Sequence, residues 1–404
     1  MIWIECGIVL AVAIAVTIAL TPIAKRIAFA TDAIDYPDNR RVNTRPTPRM
    51  GGVAIFGGMV ASCLVIEIGV MLFGWIDPFR SYFGFTVSFP VLFLGIAVMF
   101  GVGVVDDIKN LKPLVKLAGQ IVAATICSAS GLLLSNIQNP FVEGAVIDFG
   151  WLAYPITIFY LVAFANVINL VDGLDGLASG ISGISAATIF VFSVFSARFD
   201  AAILAVVIVG VCIGFLRYNH HPASIFMGDS GALLLGITLG VVSLLAVARS
   251  TLFISLFVPI MAAGVPITDT AVAIIRRKRA HQRVDQADAG HIHHRLLNRG
   301  FSQQGTVLIM CGWTAALSVC AIVLAESDGL WRTAAIIAAA GITVFAIGKL
   351  HLLEPVLRHH YVPRRKPSRN SADSRRLDSV RRVNYQDIRN RQRNRTDEAP
   401  RRRN

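Results

Sequence analysis

The sequence predicts an all-α, polytopic integral membrane protein. Of its 404 residues, 54% are hydrophobic and only 16% are charged, whereas about a quarter of the residues in a soluble globular protein are charged. Uncharged apolar runs recur along the chain, each close to the roughly 20 residues that a helix needs to cross a bilayer. Because hydrocarbon offers no partners to backbone N–H and C=O groups, such runs are expected to be helices.

Counting these runs in order gives about 11 transmembrane helices. They cover residues 2–23, 51–74, 88–105, 114–135, 151–168, 177–197, 201–217, 231–248, 252–275, 306–325 and 331–350. The first run has no basic segment before it and is followed by Lys25 and Arg26, which is the reverse of a secretory signal peptide. It therefore predicts a span that enters the membrane with its N-terminus outside.

The distribution of Lys and Arg gives the same orientation. With the N-terminus outside, five connections and the C-terminus face the cytoplasm, and these carry nearly all the basic residues. The external connections hold only Arg80, Arg198, Arg249 and Arg332. Because basic residues concentrate in cytoplasmic loops, the sequence predicts an external N-terminus and a cytoplasmic C-terminus.

The net charge of +13 is concentrated after Leu357, in a segment rich in Arg and poor in apolar residues. Such a segment cannot bury enough surface to fold, so we expect a transmembrane domain at 1–357 and a basic, disordered cytoplasmic tail at 358–404. Its arginines are expected either to bind anionic headgroups or simply to keep the tail cytoplasmic, and not to bind nucleic acid. The six cysteines stand singly in apolar runs, which argues against a disulfide framework or a zinc site.

An adjacent pair of carboxylates, Asp106 and Asp107, follows the third apolar run. Two like charges at a membrane boundary repel each other unless a cation lies between them. A divalent metal would supply that cation, and so would a lysine at 109, 112 or 116. The pair is therefore the first candidate for a functional site.

A second polar segment ends the fifth run, where Asn166, Asn169, Asp172 and Asp175 recur every three residues. At this spacing they share one side of a helix. A capped helix end with packing glycines is the simpler alternative. Four amide and carboxylate groups at the end of a membrane helix are nevertheless costly without a ligand, so a binding segment is favoured.

The loop from Asn219 to Gly231 holds two further candidates, Phe226 and Asp229. Asp229 either caps the following helix or provides a carboxylate for Mg²⁺, which binds carboxylate and phosphate oxygens. Phe226 either stacks on a base or anchors the loop at the membrane interface.

Three histidines, His291, His293 and His294, precede Arg295 and follow the basic run 276–279. Their spacing does not match a tetrahedral zinc site, so a phosphate-binding surface is favoured over a merely solvated basic loop.

One acidic residue and one basic loop are further candidates. Asp269 is expected to pair with the basic residues near Arg276 and is kept outside the site. The basic, proline-rich loop 35–52 suits either contact with an anionic lipid head or simple anchoring of the chain.

Taken in chain order, these polar stretches resemble the polyprenyl-phosphate N-acetylaminosugar-1-phosphate transferases of glycosyltransferase family 4. All of them are predicted to be cytoplasmic. The resemblance runs from Asp35 to about Arg299. His-Ile-His-His at 291–294 resembles the undecaprenyl-phosphate GlcNAc-1-phosphate branch, whereas the MurNAc-pentapeptide branch typically has three consecutive histidines. Asn43 stands where relatives often carry histidine, which argues against an essential ionisable role at that position.

The resemblance implies transfer of GlcNAc-1-phosphate from UDP-GlcNAc to undecaprenyl phosphate, with release of UMP. This would be the first lipid-linked step of a cell-envelope polysaccharide or teichoic acid, catalysed on the cytoplasmic face of the plasma membrane. It implies Mg²⁺, with Mn²⁺ as a substitute. The expected partners are a UDP-sugar, a polyprenyl phosphate and the bilayer, without nucleic acid; a homodimer is left open.

The resemblance also assigns roles to residues. The implied catalytic residues are Asp106, Asp107, Lys116, His291, His293 and His294, with Asp106 as the base that deprotonates the lipid phosphate or as a residue that helps to place it. The implied substrate-binding residues are Asn169, Asp172, Asp175, Asn219, Phe226 and Arg295, and the implied metal ligands are Asp229 and Asp107. Direct attack by the lipid phosphate is favoured, and a covalent phospho-aspartate at Asp106 or Asp107 stays open.

Alternatives remain at two levels. Within the same reaction, the donor could be UDP-MurNAc-pentapeptide or a UDP-linked QuiNAc or FucNAc. From another class, a multi-pass transporter would need ionisable residues near the bilayer midplane and usually an internal repeat, and the sequence shows neither. A scaffold that recruits partners through its basic tail leaves the polar clusters unexplained.

Overall fold

The computed structural model describes residues 2–36, 46–79, 87–138, 146–247, 260–261, 263–279, 292–327 and 329–349. All of these belong to one compact unit, Met1–Val356. The tail predicted over 358–404 lies outside the described residues, as do Asn43 and His291. The boundary predicted at residue 357 therefore stays a prediction.

Twelve α-helices account for most of the described chain, which confirms the all-α prediction. They are α1 Ile2–Ala30, α2 Gly51–Phe73, α3 Phe89–Lys109, α4 Pro113–Ala129, α5 Ala153–Val171, α6 Leu177–Phe195, α7 Phe199–Asn219, α8 Gly228–Val247, α9 Gly264–Arg279, α10 Ile292–Asn298, α11 Gln303–Glu326 and α12 Gly329–Lys349. Two short antiparallel strand pairs lie in the connections, β1 Ile34–Asp35 with β2 Thr47–Pro48, and β3 Asn136–Gln138 with β4 Val146–Asp148. All six cysteines are free, as the spacing predicted.

Among the described residues, nine helices are long and apolar enough to cross a membrane, which confirms a polytopic protein. They are α1, α2, α3, α5 with the 3-10 turn before it, α6, α7, α8, α11 and α12. The run predicted over 114–135 gives the shorter helix α4, which ends at Ala129. The run predicted over 252–275 lies partly outside the described residues. The number of spans and their orientation therefore remain predictions.

Two helix boundaries differ from the hydropathy windows in a way that matters for the site. Helix α3 continues to Lys109, so Asp106 and Asp107 belong to its last turn instead of following it. Helix α8 begins at Gly228, so Asp229 lies in its first turn. Hydropathy ends a window at the first polar residues, whereas backbone hydrogen bonding continues through them.

Helix α8 is the centre of the bundle. It packs against α2, α3, α5, α6 and α7, and 94% of its most apolar 18-residue stretch is buried. Small residues allow the close packing, since a Cβ on Gly103 of α3 would lie 2.4 Å from Cα of Ser230. The N-terminus of α8 lies beside the C-terminal end of α3. The polar first turn of the central helix is thus placed beside the aspartate pair.

Candidate active site

The first turn of α8 is capped by a carboxylate from another helix, that of Asp107. Its Oδ1 accepts the N–H of Asp229 at 2.8 Å, and its Oδ2 accepts the N–H of Ser230 at 3.0 Å. Gly228, at φ +71°, permits this approach, because a Cβ there would lie 2.6 Å from Asp107 Oδ2. A negative group is favourable at a helix N-terminus. The alternative in which Asp229 caps its own helix is therefore wrong, and the Asp229 carboxyl is left for other contacts.

Those contacts come from two further helices. Oδ1 of Asp229 lies 3.0 Å from Nζ of Lys116 on α4 and accepts a hydrogen bond from Nδ2 of Asn169 on α5. The same Lys116 Nζ lies 2.9 Å from Oδ2 of Asp106. Of the three lysines considered from the sequence, the structure thus places Lys116 between two carboxylates, where its charge offsets their repulsion.

The end of α3 is held by backbone and arginine contacts. Oδ1 of Asp106 accepts the N–H of Leu111 at 2.6 Å. Nη2 of Arg49, just before α2, donates to the backbone carbonyl of Asp107 at 3.0 Å and to Oδ1 of Asn110. Sequence reasoning treated Arg49 as one of several basic residues in the loop 35–52, and only the tertiary fold shows that it reaches the aspartate pair.

The segment after α5 is joined to the loop after α7. Oδ2 of Asp175 accepts a hydrogen bond from Nδ1 of His221 at 2.7 Å and another from the N–H of Ala223 at 3.0 Å. His221 was not singled out in the sequence, although it lies within the Asn219–Gly231 loop. This His–Asp pair fixes the loop against the polar segment.

Asn219 and Phe226 are set by the same loop. Asn219 is buried, and its amide bonds the N–H of Gly176 at 3.0 Å and the carbonyl of Ile225 at 3.0 Å. The N–H of Phe226 donates to the carbonyl of Pro48 at 2.8 Å. The Asn219 amide thus connects the start of α6 to the loop, and the backbone of β2 fixes the position of Phe226.

Burial and neighbouring charge act together on Asp172, which follows the last residue of α5. Burial, together with the charges of Asp229, Asp107 and Asp175, raises the pKa of the Asp172 carboxyl to about 8. A carboxyl surrounded by other carboxyls holds its proton unless a cation arrives. The surroundings of Asp172 therefore favour cation binding.

His293 and His294, two of the three candidate histidines, lie on the short helix α10. His293 is 3% exposed, and its ring centroid lies 4.3 Å from that of His294. The imidazole packs closely on Gly173, where a Cβ would lie 2.7 Å from His293 Nε2. Oδ1 of the buried Asp269 accepts the N–H of Ile292 at 2.9 Å, so this residue, left outside the site by sequence reasoning, supports α10. Its predicted pairing near Arg276 and the position of His291 lie outside what the structure describes.

A cavity of about 950 Å³ connects these groups. The predicted site residues that line it are Asp107, Asn169, Asp172, Asp175, Asn219, Phe226, Asp229, His293 and His294. Residues that sequence reasoning missed also line it, namely Asp35, Thr47, Arg49, His221 and Gln303. Asp106 and Lys116 stand next to Asp229 without lining this cavity, and Arg295 is likewise not part of the lining. The volume lies in the range of ligand pockets.

The donor groups of the cavity fit a hard divalent cation such as Mg²⁺. Five carboxylates line it, against one guanidinium among the lining residues that the structure describes. No cluster of three or more His, Cys, Asp and Glu side chains with metal-binding geometry occurs in the described part of the chain. Mg²⁺ sites, however, are usually completed by substrate phosphates around one or two carboxylates. Asp229 and Asp107, with Asn169 beside them, are the residues that fit this pattern.

Comparisons with known proteins show which family this chain resembles over most of its length. The model of glycosyl transferase family 4 matches residues 89–247, the range that runs from α3 to α8. A probable undecaprenyl-phosphate N-acetylglucosaminyl 1-phosphate transferase of Bacillus subtilis is 38% identical over 326 residues, covering 81% of this chain and 86% of the relative. A decaprenyl-phosphate N-acetylglucosaminephosphotransferase of Mycobacterium tuberculosis is 33% identical over 335 residues, covering 78% and 81%.

A third relative is less similar in sequence. The phospho-N-acetylmuramoyl-pentapeptide-transferase of Desulforudis audaxviator is 28% identical over 351 residues, which cover 81% of this chain and 98% of the relative. None of these comparisons supports the homodimer that the sequence left open. The extent of the matches and the membrane-helix architecture together lead to one assignment: this chain belongs to glycosyl transferase family 4.

Proposed function

We propose that this protein transfers GlcNAc-1-phosphate from UDP-GlcNAc to undecaprenyl phosphate, with release of UMP, on the cytoplasmic face of the plasma membrane. The observation that carries the proposal is the position of Asp229. It stands at the start of the central helix, between Lys116 and Asn169, on the wall of a cavity of about 950 Å³. The names of the two more similar relatives specify both N-acetylglucosamine and a polyprenyl phosphate, which supports the proposal.

The reaction exchanges one phosphoanhydride bond for another. An oxygen of the lipid phosphate attacks the β-phosphorus of the nucleotide sugar, and the bond from that phosphorus to the bridging oxygen breaks. The bonding electrons leave with UMP. Because both reactants are polyanions, positioning and charge neutralisation contribute more than a covalent catalyst.

The residues divide this work by position. Lys116 offsets negative charge between Asp106 and Asp229, and Asp106 serves to place the lipid phosphate or to accept its proton. Arg49, His293 and His294 line the cavity, and we assign them to the diphosphate of the nucleotide sugar. Mg²⁺ bound to Asp229 and Asp107 would supply further neutralisation of the diphosphate.

The surface around Lys116 suits a lipid acceptor. Leu114, Val115 and Leu117 of α4 flank this lysine and are exposed. An apolar face beside a partly buried cation matches an isoprenoid chain that carries a phosphate at its end. Nucleotide sugar in the cavity and lipid phosphate at α4 would then meet at Asp229.

A second candidate keeps the reaction and changes the donor. The 28% identical relative is a phospho-N-acetylmuramoyl-pentapeptide-transferase, so UDP-MurNAc-pentapeptide is the main rival. UDP-linked QuiNAc and FucNAc are the other donors to compare.

The test is a panel of radiolabelled UDP-sugars with undecaprenyl phosphate and purified protein, with and without Mg²⁺, read as label extracted into organic solvent. We expect lipid-linked label from UDP-GlcNAc only when the cation is present. Label from UDP-MurNAc-pentapeptide alone would replace the proposed donor, and no label from any donor would refute the transferase activity. Exchange of labelled UMP into UDP-GlcNAc without lipid acceptor would reveal a phospho-aspartyl route.

A further inference from the structure

Further into the bundle from the site, Gln120 of α4 and Asn166 of α5 form a reciprocal amide pair. Nδ2 of Asn166 donates to Oε1 of Gln120 at 2.6 Å, and Nε2 of Gln120 donates to Oδ1 of Asn166 at 3.3 Å. Nδ2 of Asn166 also donates to the carbonyl of Val162 at 2.8 Å. Gln120 is 1% exposed and Asn166 is partly buried, and each amide both donates to and accepts from the other.

The pair is in register with the site. Gln120 follows Lys116 by four residues on α4, and Asn166 precedes Asn169 by three residues on α5. At these spacings each amide lies on the same helix face as its neighbour in the site. Lys116 and Asn169 in turn meet at one atom, Oδ1 of Asp229.

Two opposed hydrogen bonds between planar amides fix both the spacing and the relative rotation of the helices that carry them. A buried amide without its partner loses interactions that apolar surroundings cannot replace. Since Lys116 and Asn169 approach the same oxygen from different helices, a shift of about 1 Å between α4 and α5 is enough to break one contact and to slow a reaction severely.

We propose that Gln120 and Asn166 are positioning residues, which lock α4 to α5 so that Lys116 and Asn169 hold the Asp229 carboxyl in its reactive orientation. The proposal rests on the proposed function, because it assumes that Asp229 belongs to the transferase site. It explains Asn166, the member of the polar repeat at 166, 169, 172 and 175 that does not line the cavity.

The competing explanation is a polar contact that only stabilises helix packing, as hydrogen bonds do between membrane helices. Another interhelical hydrogen bond of α5 provides a matched control. The hydroxyl of Tyr160 on α5 lies 2.8 Å from that of Ser243 on α8, near the opposite end of α8 from Asp229. Tyr160→Phe removes one interhelical hydrogen bond of α5 away from the site.

The experiment compares Gln120→Met, which keeps side-chain length and removes both bonds, with Tyr160→Phe in the full-length protein in detergent. A third variant, Gln120→Asn with Asn166→Gln, exchanges the two side chains and keeps their combined length. For each variant, kcat, KM for the UDP-sugar and the thermal unfolding temperature are measured. We expect Gln120→Met to lose roughly 10- to 100-fold in kcat with little change in KM.

The exchanged pair is expected to recover most of that loss, and Tyr160→Phe to keep wild-type kcat even if its unfolding temperature falls. Equal kcat in Gln120→Met and wild type would overturn the proposal. A kcat loss in Tyr160→Phe as large as in Gln120→Met would also overturn it. If Gln120→Met does not fold, the exchanged pair decides, since an exchanged pair that folds but stays inactive contradicts positioning. Wild-type protein that is inactive with every UDP-sugar would instead refute the proposed function.

Discussion

Asp107 on α3 accepts the backbone N–H of Asp229 on α8, with 2.8 Å between Oδ1 and the nitrogen. The two carboxylates therefore have different surroundings although both belong to one site. Asp107 is 1% exposed and uses both oxygens on the first turn of α8. Asp229 directs its side chain toward Lys116 and Asn169. The first aspartate thus orients the helix that presents the second.

Because the two aspartates make different contacts, we expect their replacement by asparagine to affect stability and activity differently. Asp107→Asn replaces a charged cap by an amide with a single acceptor, which we expect to cost about 1–2 kcal/mol of stability and to abolish transfer. Asp229→Asn should abolish transfer with a smaller change in unfolding temperature. Asp106→Asn is also expected to remove transfer while the protein still inserts. Thermal unfolding in detergent and the lipid-label assay measure both effects.

Asp148→Asn is the matched control, because the Asp148 carboxylate also accepts one backbone N–H, that of Gly150, but lies in β4 away from the cavity. It should retain transfer. Full activity in Asp106→Asn, Asp107→Asn and Asp229→Asn together would rule out this site.

Removing the positive charge of Lys116 gives a second prediction. Lys116→Met leaves the carboxyls of Asp106 and Asp229 without the charge between them. We expect kcat to fall by roughly 100-fold, with partial activity in Lys116→Arg. Initial rates at several concentrations of UDP-sugar and lipid phosphate measure the loss. Lys112→Met, at an exposed position before α4, should stay close to wild type, and equal losses at both lysines would contradict a specific bridge.

The sequence predicted the helices well, since hydrophobicity over about 20 residues is a local property of the chain. It also predicted which polar segments lie at the same end of the bundle, because alternating spans return them to one side. It could not separate Lys109, Lys112 and Lys116, whose choice depends on how α4 packs against α3.

Other site features depend on tertiary contacts with no local signal. Arg49 reaches Asp107 from the segment before α2, and Asp269 supports α10 through the N–H of Ile292. The cap on α8 comes from Asp107, about 120 residues earlier in the chain. Spacing within a motif cannot predict such pairings.

The close approach of Gly173 to His293 gives a third prediction. A Cβ at residue 173 would lie 2.7 Å from His293 Nε2, and the buried imidazole has little room to withdraw. Gly173→Ala should therefore displace the ring and reduce kcat by roughly 10-fold, with a smaller effect on unfolding temperature. Gly101→Ala on α3, where a Cβ meets nothing within 4 Å, should remain active. Wild-type rates in Gly173→Ala would show that the position of His293 does not limit transfer.

The raised pKa of Asp172 predicts how stability depends on pH without substrate or divalent cation. In the unfolded chain this carboxyl ionises near its ordinary value of 3.8, whereas burial raises its pKa in the folded protein to about 8. Between about pH 4 and pH 8 the folded state must retain a proton that the unfolded state releases, so rising pH destabilises the protein across this window. Asp172→Asn has no proton to lose there. Its unfolding temperature in EDTA should exceed that of wild type by an amount that grows from pH 5 to pH 8, and a difference that is constant across these pH values would contradict the prediction.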